Sequence, residues 1–73
     1  MTTVPTITFR KLIGMITDLG FQAIRQKGSH IRFVHPDGRK TTVPDHGSTD
    51  VPYGLLVKII KYDLRMDIQT FFG

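Results

Sequence analysis

Residues 25–33 read Arg25-Gln26-Lys27-Gly28-Ser29-His30-Ile31-Arg32-Phe33. Lys27-Gly28 is a tight reversal, because glycine supplies the positive φ such turns need. Beyond it the chain alternates: Ile31 and Phe33 point one way, His30, Arg32 and Val34 the other. The stretch is therefore the middle of a β-hairpin with one apolar and one polar face. It also gathers cations, a hydroxyl and an imidazole within a few residues.

Working outward, Phe21 to Gln26 is a short strand of imperfect alternation, and Ser29 to His35 is its partner. Pro36-Asp37-Gly38 is a second turn signal, and Arg39 to Val43 a third strand, β-branched at Thr41, Thr42 and Val43. The three segments form an antiparallel meander. Before it, Phe9, Leu12, Ile13, Ile16 and Leu19 recur at three- and four-residue steps. They predict an amphipathic helix over 9–19, with Thr8 as N-cap and Gly20 as stop. After the meander, Pro44 to Asp50 is a loop by composition, and Pro52 suits the first turn of a helix capped near Asp50 or Val51. Its stripe is Leu55, Leu56, Ile59 and Ile60, and it ends near Tyr62 to Arg65. Asp67 is placed to cap a last turn carrying Ile68, Phe71 and Phe72.

The expected architecture is α+β in the order α-β-β-β-α: a three-stranded antiparallel sheet with two helices on one face. It matches the double-stranded RNA-binding domain type of fold. Antiparallel sheets commonly keep one wet face, here the one carrying His30 and Arg32. The 73 residues make one domain, 1–73, with 1–7 as an extended lead-in.

Ten Lys and Arg against six Asp and Glu leave a net charge of +4. That leans toward an anionic partner such as nucleic acid. The cations fall in three groups: Arg10-Lys11, Arg25-Lys27-Arg32 and Arg39-Lys40. With no cysteine there are no disulfides or thiolate metal sites, and a reducing cytoplasm is the default expectation. No stretch is long and apolar enough to span a membrane. The N-terminal Met-Thr-Thr-Val-Pro-Thr has neither the basic start nor the apolar core of a signal peptide.

Imidazole titrates near neutrality and can both take and give a proton. RNA needs little else for cleavage: its 2′-hydroxyl attacks the adjacent phosphorus once a base takes the proton and an acid protonates the leaving oxygen. Cations beside the phosphate stabilise the charge that builds. His30 can supply the proton transfer, and Arg25, Lys27 and Arg32 the charge. Gly28 lets a phosphate approach the backbone, and Ser29 adds a hydroxyl. Chemistry by itself leaves a second reading of His30 open, as a solvated polar residue at a strand start. His46, in the loop after strand 3, is an auxiliary candidate: a partner acid, a phosphate contact, or a loop histidine bonded to local backbone. His35, beside the second turn, carries no functional signal. Asp37, Asp45 and Asp50 sit in turn and cap contexts that account for them without a metal. No metal and no cofactor is expected.

Several segments taken together resemble the HicA (YcfA-like) toxins of type II toxin–antitoxin pairs. These are Gly20-Phe21, Arg25 to His30, His35-Pro36-Asp37-Gly38, Thr42-Val43-Pro44 with His46, and Gly54-Leu55-Leu56 through Ile59-Ile60-Lys61. The resemblance runs from about Phe9 to Phe72. It implies the double-stranded RNA-binding type of fold and a ribosome-independent mRNA interferase activity. It also implies a catalytic role for the histidine of the Gly-Ser-His segment, His30, and a cognate HicB-like antitoxin that masks the site. Gly28 and Ser29 carry over as turn and support positions. The chain departs from the pattern at Leu55, where the family usually has Thr, and at Asp63-Leu64-Arg65-Met66, where it often has Ala-Gly after the helix. Two alternatives remain beside a metal-independent endoribonuclease: a non-catalytic RNA-binding module, and an inactive toxin homologue acting only in protein binding.

Overall fold

The computed structural model describes residues 3–73. Of the expected lead-in, residues 1–2 lie outside the described residues. The element order is α1 (Phe9–Asp18), β1 (Gln22–Lys27), β2 (His30–Val34), β3 (Lys40–Pro44), α2 (Tyr53–Lys58), a π-helical turn (Ile59–Asp63) and α3 (Ile68–Phe72). The α-β-β-β-α order and the open sheet are those expected, with strand order β1-β2-β3 and antiparallel pairing throughout.

The apolar stripes meet on one side of the sheet. Phe9, Leu12 and Ile16 of α1, Leu56 of α2 and Ile59 and Ile60 of the π turn are buried against Ile31, Phe33 and Val43. Alternation along β2 and β3 is strict: Ile31, Phe33, Thr41 and Val43 are buried, while His30, Arg32, Lys40 and Thr42 are exposed. The lead-in is part of this packing, for Val4 and Ile7 rest on the core. Ile7 also accepts a hydrogen bond from the Val51 amide (2.9 Å).

Four local details differ from the sequence reading. The first hairpin turns at Gly28-Ser29, one residue later than expected, with Lys27 paired to His30. Gly28 has φ +60°, whereas Ser29 is not left-handed, as in a two-residue type II′ turn with glycine at its first central position. Pro52, with φ −56° and ψ 141°, is itself the N-cap of α2, because Asp50 is drawn into a bridge with Thr8. Asp67 holds the N-cap position of α3 without a side-chain cap bond. The second helix widens after Lys58, where the Leu64 amide reaches back to Ile59 (2.9 Å). There Asp63 accepts from the buried Thr41 hydroxyl (2.8 Å) and from Lys58 (3.0 Å).

That helix ends on Arg65, which has φ +56°. A left-handed residue at this point is usually glycine, since a side chain there meets its own backbone. Replacing Arg65 with glycine is expected to raise unfolding stability by about 1 kcal/mol, measured by urea titration. Arg65→Ala, which keeps the Cβ, gives no such gain; equal gains from both would show that the strain lies elsewhere.

The second turn is latched to the helices. Arg39 donates to Asp37 Oδ2 (2.8 Å) and to the Leu64 carbonyl (2.7 Å), and its guanidinium stands over the Phe21 ring at 5.2 Å. The Arg39 amide beside Asp37 holds its carboxyl below the usual range; desolvation opposes, and the guanidinium adds to the lowering. His35 is structural too. Its Nδ1 accepts from the Asp37 amide (3.1 Å), so Nε2 donates to the Leu19 carbonyl (3.0 Å). Gly20, at φ +101°, leaves room for that ring, as a Cβ there would lie 3.2 Å from His35 Nε2.

Candidate functional site

The uncovered face of the sheet carries the candidate site residues, and a register shift in β1 sets which of them share it. Near the start of the strand, Gln22 pairs with Val34 and Ala23 with Phe33. Beyond the shift, Arg25 pairs with Arg32, Gln26 with Ile31 and Lys27 with His30. Ile24 is the extra residue of a β-bulge, left 60% exposed. Two anchors force it. Buried Phe21 holds one end of β1 against the core, and the Gly28-Ser29 turn holds the other. A regular strand cannot satisfy both, because one residue of slip sends every side chain to the opposite face. If the register of Gln22 continued unbroken, Gln26 would oppose His30, and Arg25 would fall on the core side with Ile31.

With the bulge, Arg25, Lys27, His30, Arg32 and Thr42 line one shallow concavity of about 260 Å³. The rows read Lys27–His30–Pro44 and Arg25–Arg32–Thr42 across the sheet, with Gln22–Val34–Lys40 following. Arg25 stands directly across from Arg32, an arrangement that costs stability unless an anion relieves it. The lining has no carboxylate. Gly28 and Ser29 form the turn at its end, and a Cβ at Gly28 would meet nothing within 4 Å, so the backbone is open to approach there.

Of the three cation groups in the sequence, the middle one is gathered here. Arg39 belongs to the latch, Lys40 lies on the open face two rows from His30, and Arg10 and Lys11 begin α1. His46 stands apart from the lining. Its loop does fold beside the turn, with the Asp45 amide donating to the Ser29 carbonyl (2.6 Å), but its ring lies edge-on to Phe9, centroids 5.1 Å apart. Asp45 accepts from the Gly47 amide (3.1 Å), the turn role expected of it. Among the described residues no three metal-ligating groups come together, and no helix is long and apolar enough to cross a membrane. Sequence reasoning missed Thr42. A cross-strand register would have found it, but the length of the second turn left that register open.

Fold and site together define a small α+β domain that presents a cationic, histidine-bearing sheet face. Residues 9–62 match the family described as the HicA toxin of bacterial toxin–antitoxin systems. The match spans most of the chain, which belongs to that family and is a toxin of a toxin–antitoxin system. Comparison with individually curated proteins finds no match.

Proposed function

We propose that this toxin is a metal-independent endoribonuclease that cleaves mRNA on the open sheet face, with His30 transferring the proton. A HicB-like antitoxin neutralises it by covering that face. The observation that carries this reading is the crowding of Arg25, Lys27 and Arg32 around the one imidazole of the concavity. Their mutual repulsion is relieved by a polyanion, and their charges offset the negative charge that grows on the phosphate during attack.

Guanidinium groups stay protonated and cannot serve as bases. With no carboxylate in the lining, His30 acts twice. Its neutral ring takes the proton of a ribose 2′-hydroxyl; the O2′–P bond forms as the P–O5′ bond breaks. The imidazolium then returns the proton to the departing 5′-oxygen. The products are a 2′,3′-cyclic phosphate and a 5′-hydroxyl. Gly28 and Ser29 support the turn and let the RNA backbone close on the edge of the concavity.

The test is cleavage of RNA by the purified toxin in EDTA, with analysis of the new ends. Persistent cleavage with cyclic phosphate ends is expected. Loss of cleavage in EDTA, or 5′-phosphate ends, would overturn the mechanism. A non-catalytic RNA-binding module would bind without cutting.

Phosphate contacts release counterions, so affinity falls with salt. Arg32→Gln is expected to flatten the plot of log affinity against log salt by about 0.7 to 1. Lys61→Gln, on the helical side, leaves the slope unchanged. Equal slopes for all three proteins would remove Arg32 from the phosphate site. Adding the antitoxin is expected to displace RNA; a partner footprint confined to the helices would count against masking.

A further inference from the structure

Thr41 and Thr42 are chemically identical neighbours that β3 sends to opposite faces. The Thr41 hydroxyl is buried and spoken for by Asp63. Thr42 is exposed, stands across from Arg32 and lines the concavity. Among the described residues no side-chain hydrogen bond holds it.

The cations of the concavity do not tell RNA from DNA, since a phosphodiester is the same in both. The difference lies in the ribose 2′-hydroxyl, which both donates and accepts a hydrogen bond. Guanidinium and ammonium groups only donate. Apart from His30, whose ring is engaged in proton transfer, Thr42 is the lining side chain that can do both. His30 pairs with Pro44 and Arg32 with Thr42, so Thr42 is diagonal to His30, roughly 7–8 Å away. We infer that Thr42 binds the 2′-hydroxyl of a ribose neighbouring the scissile one, and so sets the toxin's preference for RNA over DNA.

This inference rests on the endoribonuclease reading. Cleavage requires the scissile 2′-hydroxyl whatever Thr42 does, so the experiment reads binding. In the full chain carrying His30→Ala, affinities are measured for a single-stranded oligouridylate and for the oligodeoxyuridylate of equal length. Thr42→Val is then added; valine keeps the shape and suits an exposed strand position. The expected result is a preference for RNA that Thr42→Val reduces about three- to ten-fold, the worth of one neutral hydrogen bond. DNA affinity stays unchanged, and Thr42→Ser restores the preference. An unaltered ratio in Thr42→Val overturns the role of Thr42 and leaves the endoribonuclease reading standing, as does equal binding of the two strands when Thr42 is present. If neither strand binds at low salt, the RNA reading falls and this inference falls with it.

Discussion

Purified His30→Ala protein is expected to lose RNA cleavage by about 10²–10⁴-fold, the usual worth of a positioned proton-transfer group. Its expression should no longer slow growth. RNA binding is expected to persist, because Arg25, Lys27 and Arg32, the proposed phosphate contacts, remain in the lining. Thermal stability is unchanged, since His30 is exposed on the open face and its strand is held by Ile31 and Phe33 beneath. The assay is single-turnover cleavage alongside a binding titration. Full cleavage by His30→Ala would remove His30 from the mechanism.

Phe33→Ala is expected to fail in the opposite way. Phe33 is 2% exposed and packs with both helices from the reverse side of the same strand. Deleting such a ring costs about 3–5 kcal/mol. A domain of this length has roughly 4–11 kcal/mol in all, so much of the protein unfolds or sits near its midpoint. Urea titration is expected to show the midpoint falling steeply, with RNA binding and cleavage lost in proportion to the unfolded fraction. A change under about 1 kcal/mol would mean that the sheet is not held by this core. The two substitutions lie three residues apart, yet one removes chemistry at constant fold and the other removes the fold.

Most of the architecture was legible because it rests on local signals. The i, i+3, i+4 recurrence of Phe9, Leu12 and Ile16 and the strict alternation around Ile31 and Phe33 each name a buried face. Turn glycines mark where the chain reverses. The cations and His30 were legible as a cluster in sequence. Less legible were features that depend on what lies across space. Arg39 read as one of a cation group with Lys40, but the Leu64 carbonyl and the Phe21 ring claim it. His35 read as bland, yet it ties the end of α1 to the second turn. The π-helical turn carries Asp63, which meets Thr41, a residue far from it in the chain.

The segment from Arg25 to Phe33 draws the same boundary. Its residues by themselves determined a hairpin, a buried pair in Ile31 and Phe33, and an exposed pair in His30 and Arg32, because alternation along a strand is a local property. They did not determine that Arg25 and Lys27 share the face of His30. That was decided by the bulge at Ile24, which absorbs the one-residue mismatch between buried Phe21 and the Gly28-Ser29 turn. Register is settled by anchors at both ends of a strand, and one of those anchors is the tertiary core.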